Sequence, residues 1–295
     1  MTATPVTALR SLLFTPGSRP DMMAKARRSG ADSLILDLED AVAPSARHEA
    51  RVAVAAALDD AGESPPAFVR VNHPSTGELE ADLDAVVRPG LFGIVLPKVD
   101  TADEIAALDE ALAQREPAAG HEAGSLVVLA QIESCRGLHF MYEIASASPR
   151  VVGLAFSSGE DGDFMADLDG QWTPAGEAML YPRSKLVCET RAAGLAWPVD
   201  GVFMQVDDDL AMAKECRLAR RLGFVAKMAI HPRQLAAIHA AFTPTPEEVD
   251  YSRGLLEAFE KARASGTGVF RYRGDMVDKA NVRRAENVLA RERPP

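Results

Sequence analysis

Cysteine is scarce in this 295-residue chain: there are three, Cys135, Cys188 and Cys216, far apart and without a CxxC pair. That excludes the disulfide framework of a small secreted domain and a cysteine-based zinc site, and it fits a reducing, cytoplasmic compartment. Positive charge is also short, with 32 Lys and Arg against 43 Asp and Glu and a formal net charge of -11. A nucleic-acid partner, which calls for a basic face, is therefore not expected. Long apolar runs are missing as well. The longest, 52–58, falls far short of the roughly 20 residues that span a bilayer, and the N-terminus shows no basic segment leading into an apolar stretch, so no membrane partner is expected.

Several catalytic and nucleotide-binding signatures are absent too. No GxGxxG or GxxxxGK[ST] follows the first apolar run, and Ser157, Ser158 and Gly159 do not form GxSxG. His73 and His139 have no partner at zinc spacing, and His231, just before Pro232, reads as a loop-to-helix junction. Internal repeats and low-complexity segments are lacking.

What is present is ordinary globular composition, 47% hydrophobic and 25% charged, enough for a sizeable core. Eight short apolar runs of strand type recur at 11–14, 33–38, 67–71, 93–96, 126–132, 152–156, 201–204 and 225–230. Helical periodicity fills segments between them, at 21–29, 46–58, 102–113, 136–146, 177–193 and 207–221. This alternation predicts an α/β fold, a TIM (β/α)8 barrel over residues 1–240, in keeping with the usual size of about 250 residues. Beyond it, "TPTPEEVD" opens a helix, a glycine-bearing loop follows, and 277–290 is helical again, giving a C-terminal helical extension over 241–295.

In such barrels chemistry sits at the C-terminal ends of the strands. The second run ends in Asp37, Glu39 and Asp40, the third in Arg70 and Asn72, and the fourth in Lys98. The fifth ends in Gln131 and Glu133, and the sixth opens into "SSGEDGDFMADL" with Glu160, Asp161, Asp163 and Asp167. Taken singly, Glu133 reads as a rim or capping residue, Arg70 as a counter-charge and Lys98 as a solvated rim lysine. Together, Glu, Asp and Arg at one barrel face suit an oxygen-ligated Mg2+ beside a cation that meets a developing oxyanion.

An ordered set of segments resembles one known family: "RSLLFTPGSRPDMMAKARRSGADSLILDLEDAV", "VRVN", "VLPKVDTADEI", "AQIES", "DFMADL", "KMAIHP" and "GDMVDKA". From about Arg10 to Ala290 the chain is similar to the HpcH/HpaI aldolase and citrate lyase superfamily, in its citrate lyase beta subunit-like and malyl-CoA lyase-like branch. The resemblance implies a Mg2+-dependent lyase, with Mn2+ as an alternative metal, that cleaves or forms a carbon-carbon bond in a 3-hydroxyacyl-CoA such as citryl-, malyl- or citramalyl-CoA. Its small-molecule partners would be an acyl-CoA and a 2-oxo acid, and it would form a homo-oligomer, a trimer or hexamer.

By the same resemblance, Glu133 and Asp163 are the metal ligands, and Arg70 faces the thioester enolate. Asp278 is the acid or base, supplied in several relatives to the adjacent subunit; Arg19 and Lys25, with Arg70 and Lys98, bind substrate and the CoA phosphates. The stretch after the sixth run is longer than the family's usual G-x-E-D pattern, which keeps Asp161 as a reserve ligand, and Lys279 and Ala280 follow Asp278 where the family commonly has proline. Asp37, Glu39 and Gln131 are expected to support the ligands. The hydroxyl proton has two candidate acceptors, Glu39 and a metal-bound water. Two alternatives are a CoA-independent class II pyruvate aldolase and a non-catalytic subunit that binds CoA or an acyl carrier.

Overall fold

A computed structural model describes residues 9–292 apart from 61, 63, 161, 174 and 265–269. Eight parallel strands close a barrel in chain order: β1 Ser11–Pro16, β2 Ser33–Asp37, β3 Ala67–Arg70, β4 Leu91–Leu96, β5 Val127–Ile132, β6 Val151–Phe156, β7 Val199–Asp200 and β8 Ala226–Ala229. Around it lie α1 Pro20–Ala26, α2 Arg47–Asp59, α3 Leu79–Val86, α4 Ala102–Arg115, α5 Cys135–His139 and α6 Met141–Ser146. The circuit continues with α7 Asp163–Leu168, α8 Glu177–Ala192, α9 Asp209–Leu222 and α10 Leu235–Phe242. The C-terminal segment adds α11 Pro246–Ala264, a hairpin of β9 Phe270–Tyr272 and β10 Asp275–Val277, and α12 Lys279–Leu289.

Strand periodicity divides the apolar residues between two cores. Leu12, Ile35, Phe68, Val95, Leu129 and Val199 point inward with Trp197 and Met228, filling the barrel. Their neighbours Leu13, Leu34, Leu36, Val69, Ile94 and Leu154 face the helices. Trp197 stacks on Phe68 at 5.8 Å, and its indole N–H donates to the Leu9 carbonyl at 3.0 Å, closing the N-terminal end of the barrel. The extension has its own small core of Leu255, Val277, Val282 and Ala285.

Seven of the eight expected strands overlap the observed ones. The seventh does not: it is the two-residue β7, and the run at 201–204 lies beyond it. Val199 faces the barrel interior, while Asp200 turns outward to the buried Arg183 and Lys227. The apolar residues Val202 and Met204 become cavity wall instead of strand. The single helix expected over 136–146 is two helices, because Phe140 at φ -99 and ψ 19 interrupts the helical backbone. The glycine-bearing loop near the C-terminus includes the β9–β10 hairpin, whose three-residue strands are too short to show periodicity.

Candidate active site

The strand ends bring the charged residues together because parallel register aligns them. Asp37, last in β2, pairs in register with Arg70, last in β3. The Arg70 guanidinium donates from Nε and Nη2 to the two Asp37 oxygens, both at 2.7 Å, a bidentate clamp. Its Nη1 lies 3.1 Å from Glu39 Oε2, and the group sits over the Phe14 ring at 4.7 Å. Asp37 is held from the other side by the backbone N–H groups of Glu39 and Ala41. Burial works against the charged form of Arg70, but the charge and hydrogen bonds of Asp37 outweigh it and raise its pKa.

Lys98 is the second cation. Its Nζ reaches Glu39 at 2.6 Å, Asp40 at 3.3 Å and Asp163 at 3.3 Å. Its backbone occupies the left-handed region at φ 53, and from there its N–H donates to Glu133 Oε1 at 3.1 Å. One residue thus ties three acidic strand ends together. Burial costs Lys98 part of its charge preference, yet Glu39 and Asp40 raise its pKa overall.

Glu133, first after β5, is 3% exposed, and burial pushes its carboxyl up to about 7 despite the opposing pull of Arg70. Burial also raises the Glu39 pKa, against the attraction of Arg70. Gln131 is buried beside Glu133, and its Oε1 has no hydrogen-bond partner. Asp163 opens α7 at the rim with about half its side chain exposed. Phe164, which follows it, is buried against Phe156 at 4.8 Å and so anchors Asp163 above the cavity.

Asp37, Arg70, Gln131, Glu133 and Asp163 line one cavity of about 600 Å3 at the C-terminal mouth. Around it Asp37, Glu39, Asp40, Glu133 and Asp163 outnumber Arg70 and Lys98, leaving an excess of negative charge. All-oxygen donors, an unpartnered buried Gln131 oxygen and that excess suit a hard divalent cation. Among the described residues no three Asp, Glu, His or Cys side chains form a group that could hold a metal ion by themselves.

The other acidic residues of the "GEDGDFMADL" stretch have separate partners. Glu160 accepts from Gln205 Nε2 at 2.6 Å, and Asp167 accepts from the Cys135 N–H at 2.6 Å, fixing the start of α5. Asp161, the reserve ligand, lies outside the described residues.

Arg19, just ahead of α1, and Lys25, within it, are exposed, both beside Asp21, and neither lines the cavity. Asp278 is not a lining residue within this chain: its carboxylate caps α12, accepting from the Ala280 and Asn281 N–H groups. His231 likewise caps a short helix, accepting from the Arg233 N–H. The Phe14 platform under Arg70 is a contact that sequence reading missed. An aromatic residue inside an apolar strand carries no mark of such a role.

Comparison with known proteins points the same way. The family model described as HpcH/HpaI aldolase/citrate lyase matches residues 10–232. Citrate lyase subunit beta of Leuconostoc mesenteroides subsp. cremoris is 36% identical over 282 residues, 95% of this chain and 92% of that protein. L-malyl-CoA/beta-methylmalyl-CoA lyase of Cereibacter sphaeroides is 35% identical over 303 residues, with 95% and 93% covered. The crystal structure of protein CitE from Mycobacterium tuberculosis in complex with magnesium, acetoacetate and coenzyme A matches with a TM-score of 0.74. Its identity is 29%, and the match covers 97% of this chain and 98% of that one.

Fold and relatives together define a carbon-carbon lyase built on a closed (β/α)8 barrel. The chain belongs to the HpcH/HpaI aldolase/citrate lyase family.

Proposed function

We propose that this protein cleaves, or in reverse forms, the carbon-carbon bond of a 3-hydroxyacyl-CoA, giving an acyl-CoA and a 2-oxo acid, with Mg2+ as cofactor. The observation that carries this reading is the buried Arg70 clamped by Asp37 at the mouth of a cavity shared with Glu133 and Asp163. The malyl-CoA lyase relative and the CitE complex with magnesium and coenzyme A support the substrate class and the metal.

Glu133 and Asp163 would hold the ion, with Asp161 as the reserve. Bound there, Mg2+ would polarise the oxygen of the oxo-acid portion as a Lewis acid. As the bond to the acyl fragment breaks, its electron pair moves into the thioester to give an enolate. Arg70 is already oriented by Asp37 and Phe14, so it meets the growing oxyanion without reorganising. Glu39, buried between Arg70 and Lys98, would be one of the two candidate acceptors of the hydroxyl proton. Lys98 orients Glu39 and Asp163, and Gln131 offers its unpartnered oxygen to a ligand donor.

Asp278 would return a proton to the enolate carbon. Since it caps α12 away from this chain's own cavity, that role requires the 241–295 extension to serve as a lid on a neighbouring subunit of a homo-oligomer. Arg19, exposed just ahead of α1, and Lys25, exposed on it, would meet the CoA phosphates.

Purified protein incubated with Mg2+ and citryl-, malyl- and citramalyl-CoA should release an acyl-CoA and a 2-oxo acid from at least one, and chelation should stop the release. No turnover across the panel, combined with turnover of a 4-hydroxy-2-oxo acid lacking CoA, would replace this reading with a CoA-independent aldolase.

A further inference from the structure

At the N-terminal end of the barrel, opposite the site, α8, α9 and α12 finish close together. Ala196 and Val225, just ahead of β7 and β8, border a cavity there of about 370 Å3. Four arginines line it: Arg191 in the last turn of α8, Arg220 in the last turn of α9, and Arg284 and Arg291 of the α12 segment. For a chain of net charge -11, this is an unusual concentration of one sign.

The single acid in the lining, Glu248, is already engaged. Arg220 Nη2 donates to both its oxygens, at 2.7 and 2.6 Å. Among the described residues, Arg191, Arg284 and Arg291 have no carboxylate within 4.0 Å. Arg191 and Arg291 donate instead to backbone carbonyls, of Leu195 at 3.5 Å and Asn287 at 2.9 Å.

Arginines near helix C-termini have an ordinary explanation, since each helix end carries about half a negative charge. Three such ends offset about half of the three charges that Glu248 leaves over. Burial, followed by repulsion from Arg220 and Arg191, lowers the pKa of Arg291, and burial lowers that of Arg191. The cluster therefore concentrates positive charge in a concave space, where the guanidinium N–H groups left over from these bonds can meet oxygen pairs.

We propose that this arginine cavity is a second binding site, for a compact oxyanion that carries two or more adjacent phosphate or carboxylate groups. Such a ligand would join Arg191 and Arg220 of the barrel helices to Arg284 and Arg291 of the extension. It would thereby fix α12, which spans about 16 Å from the cavity to its cap at Asp278. The site owes nothing to the reading of the barrel mouth, so either can fail alone.

The test is calorimetric titration of the full-length protein with pyrophosphate and with citrate, at constant ionic strength. Saturable binding is expected, weakened at least tenfold in Arg191→Glu/Arg284→Glu, whose substituted positions are exposed. Binding should persist in Arg70→Lys. Preference for one titrant identifies the ligand class as phosphate or carboxylate. Loss of binding in Arg70→Lys with retention in the double variant would place the anion at the barrel mouth and overturn the proposal. No binding to the full chain would also overturn it.

Discussion

Arg70 uses Nε and Nη2 on Asp37, so its orientation depends on a fork that lysine lacks. Arg70→Lys keeps the charge beside Asp37 but loses the bidentate geometry and the stack on Phe14. The expected result is a fall in kcat of about 100-fold, with the melting temperature nearly unchanged. Activity within threefold of the parent would show that orientation of this cation is immaterial. Lys98 gives a separate residue-scale test, because its φ of 53 is strained for any residue with a Cβ. Lys98→Gly and Lys98→Ala both remove the ammonium bridge, but the glycine variant should be the more stable by about 1 kcal/mol in denaturant unfolding. Equal stabilities would mean that the left-handed turn imposes no strain.

The elements around the site are positioned by close backbone contacts and by buried ion pairs. A Cβ on Gly153 of β6 would fall 2.1 Å from the Trp197 carbonyl oxygen. Gly153→Ala should therefore displace the entry to β7 and destabilise the fold by about 1 to 3 kcal/mol, measured by urea unfolding. Glu116, following α4, accepts from the Gly124 and Leu126 N–H groups at 2.8 and 3.0 Å and from Arg150 Nη2 at 2.8 Å. Its burial alone would raise the carboxyl, but Arg150 and the two N–H groups hold it down at about 2, below its ordinary 4.5. A depressed carboxyl contributes stability that is complete above its ordinary pKa and is lost as pH falls through the folded value. The shift corresponds to about 3 kcal/mol, so parental stability should decline from about pH 4.5 toward 2. Glu116→Gln should be less stable at neutral pH and show a flatter acid decline; an identical pH profile would contradict the account.

For the molecule as a whole, the barrel was legible because its strands are short apolar runs separated by helical periods. β7 was not, because only Val199 and Asp200 pair, and an apolar run at 201–204 that lines the cavity imitates a strand. The gathering of charged residues at the barrel mouth was legible because chain order places Asp37, Arg70, Lys98 and Glu133 just at or after strand ends, where a barrel brings them together. What joins them was not legible. The reach of Lys98 to Asp163 and the stacking of Arg70 on Phe14 depend on barrel closure between residues distant in the chain. The acidic stretch after β6 showed its ligand candidate through motif order, while the separate attachments of Glu160 to Gln205 and Asp167 to Cys135 needed three dimensions.

The central claim is that Glu133 and Asp163 hold Mg2+ beside Arg70. A crystal structure with Mg2+ and a 2-oxo acid tests it most directly. The account predicts the ion on those two carboxylates, chelated by the oxo acid, with Arg70 still clamped by Asp37. A metal bound elsewhere, or an oxo acid seated without contact to Glu133, would contradict it.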